Sequence, residues 1–147
     1  MENVTVILDR KQTHFNKISP TSFVSDALCR MSCQHADYLI VVDDDEKFLG
    51  LLTEHEIATQ TIFTNLSINS TRVQTIMNSR WPVADADDSV EDCMRLMSRY
   101  NVRYLPVFKN LNFLGIVSTE DILQEAVSHR FGIFDDVDKR KETVYAY

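Results

Sequence analysis

The sequence predicts an α+β fold in which one small unit is used twice, and three observations carry that prediction. First, Phe48-Leu-Gly-Leu-Leu-Thr-Glu-His-Glu-Ile57 returns 65 residues later as Phe113-Leu-Gly-Ile-Val-Ser-Thr-Glu-Asp-Ile122. That interval is too long for one turn of a solenoid array and suits a small βα unit. Second, each copy joins an apolar run with a glycine, suited to a buried strand, to Thr53 or Ser118 three residues ahead of Glu56 or Asp121. This spacing is the capping-box signature of a helix start. Third, 147 residues that are 44% hydrophobic suffice for one core of usual size but not for two independent ones, so the copies are expected to share it.

Residues 4–8 alternate weakly and fit either a strand or the first turn of a helix. Ser22 is the expected N-cap of a helix from Phe23 that sets Val24, Ala27, Leu28 and Met31 on one apolar stripe. A polar turn at 34–37, a strand at 38–42, an acidic hairpin at 43–47, the strand from Phe48 and a helix toward Asn65 complete the copy. The polar, glycine-free stretch 65–72 reads as a linker. In the second copy Asp88 with Glu91 forms the expected capping box, and Val90, Cys93, Met94 and Met97 repeat the stripe. Tyr104-Leu-Pro-Val-Phe108 answers Tyr38–Val42, and the hairpin is one residue shorter. Pro106 can donate no ladder hydrogen bond, so its strand is expected at an edge or beside an opening. The chain thus divides into an N-terminal segment 1–14, repeat 1 at 15–64, the linker 65–72, repeat 2 at 73–128 and a tail 129–147. The tail has no counterpart in the repeat, and its Phe131, Phe134, Tyr145 and Tyr147 suit docking on the body or on a partner.

Composition excludes several classes of function. A net charge of −7 and a pI near 5.0 argue against a nucleic-acid surface, which needs a basic stripe. Residues 1–9 lack both the basic leader and the long apolar stretch of a signal peptide. The apolar runs are strand length, far short of the roughly 20 residues of a membrane helix. A cytoplasmic protein is therefore expected, with no membrane partner. Three cysteines without an export signal suit free thiols. With only three glycines there is no phosphate-cradling glycine-rich loop, and no Ser/His/Asp grouping stands out, so no catalytic residue and no enzyme activity is expected. His55-Glu-Ile-Ala-Thr59 begins like a zinc-protease helix but has threonine where the second histidine is required. Cys29, Cys33 and His35 lack a fourth ligand and read as core-edge residues. The hairpin carboxylates Asp43–Asp45 read as solvated, so no metal is expected. Met31, Met94 and Met97 read as core.

The order helix, strand with Leu-Pro-Val, hairpin, strand with Leu-Gly-Ile-Val, then Ser-x-x-Asp-Ile-Leu resembles the cystathionine-beta-synthase (CBS) domain. Two copies in one chain resemble the CBS pair, or Bateman module, over roughly residues 15–128. The resemblance implies two tandem βαββα repeats packed with pseudo-two-fold symmetry. It also implies an adenosyl ligand (AMP, ADP, ATP or S-adenosylmethionine) in an inter-repeat cleft. Such modules regulate a partner protein, often as homodimers, and need no cofactor beyond that regulatory ligand. Ser118 and Asp121 stand at the family's Ser/Thr-x-x-Asp positions, where the carboxylate takes the ribose hydroxyls; carboxylates accept such charge-assisted bonds well. Arg103 matches a position where the family often has a base reaching phosphate.

The first copy departs from this pattern, with Thr53 and Glu56 at the ligand-binding pair, Asp37 aligned with Arg103 and Ile40 in place of the proline. At most one good site is therefore expected. An acidic chain with one candidate phosphate contact favours AMP, adenosine or S-adenosylmethionine over multiply charged ATP. Beside these readings stand plainer ones: the Ser118–Asp121 pair is sufficient as a helix cap worth about 1 kcal/mol, and Arg103 as a solvated charge. A structural dimerisation module with no bound nucleotide is the alternative function.

Overall fold

The structure, a computed structural model, describes residues 2–11 and 16–128, so the aromatic tail expected to dock lies outside the described residues. The elements are α1 (Thr5–Arg10), β1 (Lys17–Ile18), α2 (Val24–Gln34), β2 (Tyr38–Val42), β3 (Phe48–Thr53), α3 (Glu54–Ile62), α4 (Val73–Ile76), β4 (Ala84–Asp85), α5 (Val90–Tyr100), β5 (Tyr104–Lys109) and β6 (Asn112–Ser118). A last helix, α6, covers 119–128. From β1 and from β4 the order βαββα runs twice, as the resemblance implied. Each run forms a three-stranded sheet, β1-β2-β3 or β4-β5-β6, with a parallel outer pair and an antiparallel hairpin. Even the ladder irregularity repeats, between Val41 and Val42 and between Val107 and Phe108.

The described residues fall into two compact units, those within 1–12 together with those from Val83 onward, and those within Thr13–Pro82. Packing therefore cuts across linear order. α1, which precedes the first repeat, belongs with the second repeat's strands, and α4 belongs with the first repeat's. Residues 4–8, which fitted strand or helix by sequence, run into α1. Val4 N–H donates to the Asp88 carbonyl and Val90 N–H to the Glu2 carbonyl, at 2.9 and 3.1 Å. The other unit makes the same pair of bonds, Val73 N–H to the Ser22 carbonyl and Val24 N–H to the Thr71 carbonyl, at 2.8 and 2.9 Å.

Each unit has its own apolar cluster, which corrects the expectation of one core shared by the copies. One gathers Val4, Ile7 and Leu8 with Ala84, Cys93, Met97, Leu105, Val107, Val117 and Ile122. The other gathers Ile18, Val24, Ala27, Met31, Leu39, Val41, Leu52, Ile57, Val73 and Ile76. Val24, Ala27, Met31, Cys93 and Met97 of the helical stripes are buried as the 3.6-residue period requires, Leu28 and Val90 are half-buried, and the reading of Met94 as core is corrected, since it is 51% exposed.

The helix starts are corrected by one residue in both copies. The N-caps are Phe23 and Ser89 rather than Ser22 and Asp88, and Ser89 Oγ accepts the Asp92 N–H at 3.1 Å, so Glu91 is not the capping partner. Phe23 and Ser89 are drawn into extended geometry by bridges to Arg72 and Asn3. Both helices end at left-handed residues, His35 and Asn101, each with φ of 50°. The residues after them, Ala36 and Val102, donate back to the Met31 and Met97 carbonyls, which closes the last turn.

Of the two places expected for Pro106, an edge or beside an opening, the edge is corrected, because β5 is the middle strand of its sheet. The equivalent Ile40 donates to the Asn16 carbonyl on the β1 side. In the second copy pairing with β4 begins only at Ala84↔Val107, one residue past the proline. The missing N–H thus falls beyond the end of the ladder. Gly50 is required by a close approach: a Cβ there would lie 2.6 Å from the Asn78 carbonyl oxygen, which exchanges hydrogen bonds with Leu51 across the sheet edge.

Candidate functional site

β6 ends at Ser118 and α6 starts on the next residue, so the chain turns from extended to helical within one peptide. The reciprocal cap that this turn needs is present. Asp121 Oδ2 accepts the Ser118 N–H at 2.7 Å, and Ser118 Oγ accepts the Asp121 N–H at 3.2 Å. Tyr104 pairs with Ser118, which puts Arg103 at the same end of the sheet. The Arg103 carbonyl accepts the Thr119 N–H at 2.9 Å and its Oγ1 at 3.3 Å, tying the strand end to the helix start, and Arg103 itself is exposed. The structure therefore brings Ser118, Asp121 and Arg103 together at the head of α6.

In the other unit Thr53 and Glu56 form the equivalent box at the head of α3. Here the longer carboxylate turns back. Glu56 Oε2 accepts both the Thr53 N–H, at 2.9 Å, and the Thr53 hydroxyl, and the residue is 9% exposed. Asp37, just before β2, is exposed.

Sequence reasoning missed the cation beside Asp121. Lys11 Nζ donates to Asp121 Oδ2 at 2.5 Å and to the Ile116 carbonyl at 2.9 Å, with 31% of the lysine side chain and 16% of the aspartate side chain exposed. One residue earlier, the Arg10 guanidinium pairs with the buried Glu125, one helical turn beyond Asp121. Two successive bases thus meet two carboxylates at i, i+4 on one face of α6. They line a cleft of about 170 Å³ with Ile7 and Gln124. The available signal was a third repeated element: Val4-x-x-Ile7-Leu8 matches Val73-x-x-Ile76-Met77, which marks the N-terminal segment as part of the fold.

Other candidates resolve simply. Cys29 and Cys33 are exposed on α2 rather than at the core edge, and the hydrogen bond with Cys33 is the main cause raising the Cys29 thiol. Among the described residues no three His, Cys, Asp or Glu side chains gather to hold a metal. His55 is exposed on α3. No helix among the described residues is long and apolar enough to cross a membrane.

Comparison with known proteins agrees with this architecture. The CBS domain family model matches residues 12–60 and 73–128. The CBS domain-containing protein YhcV of Bacillus subtilis is 27% identical over 123 residues, covering 84% of this chain and 86% of YhcV. CBSCBSPB1 of Arabidopsis thaliana is 24% identical over 111 residues, 76% of this chain; the chain spans only 20% of that relative's length. Among solved structures, a CBS-domain protein from Burkholderia ambifaria MC40-6 superposes with a TM-score of 0.80 at 27% identity, over 86% of this chain and 95% of that one. The chain accordingly belongs to the CBS-domain family, as a tandem pair of CBS domains.

Proposed function

We propose that this chain is a regulatory module, without catalysis of its own, that binds an adenosyl ligand at the head of α6. The ligand class is AMP, ADP, ATP or S-adenosylmethionine, and it acts as a signal rather than as a required cofactor. The observation that carries the reading is the Asp121 carboxylate. It caps α6 through one oxygen, keeps 16% of its side chain exposed, and has Arg103 at the same strand end. A vicinal diol can donate to such a carboxylate, and Arg103 offers a charge for phosphate. Glu56, curled onto Thr53, is buried where Asp121 is half-buried, which favours one site over two. Regulation then follows by linkage: a ligand that prefers one arrangement of the chain raises its population, and a protein partner that prefers the same arrangement binds more tightly.

Thermal-shift and calorimetric titration with AMP, ADP, ATP and S-adenosylmethionine test this directly. At least one should raise the melting temperature by mass action on the native state. Asp121→Glu should keep the cap and the unliganded melting temperature but abolish that rise. Binding unchanged by Asp121→Glu would leave Asp121 as a cap alone. Self-association as a homodimer belongs to the same reading, supported by Met94, Leu123 and Val127, exposed by 51%, 58% and 48%. Sedimentation of the unliganded chain should give twice the 17.0 kDa chain mass, and a monomer would remove that part.

A further inference from the structure

Lys11 sits beside the carboxylate that a ligand diol would use, its ammonium sharing Asp121 Oδ2 with the Ser118 N–H. In the other unit the carbonyl of Leu51, equivalent to Ile116, accepts the backbone N–H of Asn78 at 3.0 Å. In the second repeat the Lys11 ammonium takes that amide's place, and its second bond falls on Asp121. Arg10 is held by Glu125. The cleft these side chains line, about 170 Å³, is small against the roughly 300–1,000 Å³ of ordinary ligand pockets. It fits a sugar-sized fragment of a ligand.

We propose that Lys11 sets the charge of the ligand this site accepts, selecting a phosphorylated nucleotide over a neutral nucleoside and over cationic S-adenosylmethionine. This rests on the reading of Asp121 as the diol acceptor. Hydroxyls that donate to Asp121 share its carboxylate with the ammonium and compete with it where they reach Oδ2, and a bond between two ions is stronger than one from a neutral hydroxyl. A ligand offering hydroxyls alone weakens the ion pair of a partly buried charge and leaves it chiefly the Ile116 carbonyl, which is costly. A ligand whose phosphate is joined to the same sugar gives that charge a new partner, and the flexible lysine stem lets the ammonium follow it. A cationic ligand adds repulsion. Net charge had favoured AMP, adenosine or S-adenosylmethionine alike; Lys11 separates the first from the other two.

Calorimetry on the full chain with AMP, adenosine and S-adenosylmethionine tests the assignment in the wild type, Lys11→Gln and Lys11→Arg. The glutamine amide can still donate to the Ile116 carbonyl, and circular dichroism checks folding. The wild type should prefer AMP over adenosine by about tenfold or more, as charged hydrogen bonds imply. Lys11→Gln should narrow the AMP preference to what Arg103 supplies and strengthen S-adenosylmethionine, while Lys11→Arg should keep the full preference. In the wild type, added salt should weaken AMP and strengthen adenosine. If the AMP-to-adenosine ratio is the same in wild type and Lys11→Gln, or neither affinity responds to salt, the Lys11 assignment fails and the diol site stands. If no form binds any of the three, the Lys11 assignment fails, and the diol site fails with it when ADP and ATP also do not bind.

Discussion

Asp121 and Glu56 hold the same place in two copies of one capping box, and a single methylene separates their roles. Each caps its helix through one oxygen, whose second donor is Lys11 at Asp121 and the Thr53 hydroxyl at Glu56. Cys93 shows how a neighbourhood alters a residue of known type. Burial first, then the Asp88 and Asp92 carboxylates, push its thiol from 9.0 up to about 12. The folded protein therefore holds this proton where the unfolded chain releases it. Stability from this group is complete below pH 9 and declines as pH rises from 9 toward 12. A disulfide-exchange reagent at pH 8 should titrate Cys29 and Cys33 readily and reach Cys93 only in denaturant. Cys93→Val should flatten the alkaline loss of stability; an unchanged loss would assign it to other groups. At this scale the capping pairs at 53–56 and 118–121 were legible because their partners lie three residues apart. Lys11 was not, because its partner lies 110 residues away.

Short elements take their meaning from what they pack against. α1 has six residues and α4 four, too few to be stable helices alone. They persist because Val4, Ile7 and Leu8, and likewise Val73 and Ile76, enter apolar clusters. Ile7→Ala should cost about 2–5 kcal/mol by the usual loss on truncating a buried side chain, read as a lower urea midpoint. A loss below about 0.5 kcal/mol, typical of surface changes, would mean that α1 adds little to its unit. The long amphipathic helices and apolar strands were readable from periodicity. Their starts were not, since the bridges from Asn3 and Arg72 move each N-cap by one residue. Pro106 likewise looked like an edge signal, because sequence marks the missing N–H but not the side of the strand from which it is missing.

At the scale of the whole molecule, chain order and packing order differ. One compact unit contains both the first described residues and those from Val83 onward, and the segment between builds the other. By itself the sequence determined the duplication, the βαββα order within each copy through the resemblance its motifs carry, and the local caps at the ends of β3 and β6. These depend on residues within a few positions of one another, where hydrogen-bond reach and helical or strand period leave little choice. Only the tertiary structure decided that α1 joins the second repeat's core and that Lys11 reaches Asp121. Such contacts are selected by burial and charge pairing between segments whose separation along the chain sets no constraint on their meeting in space.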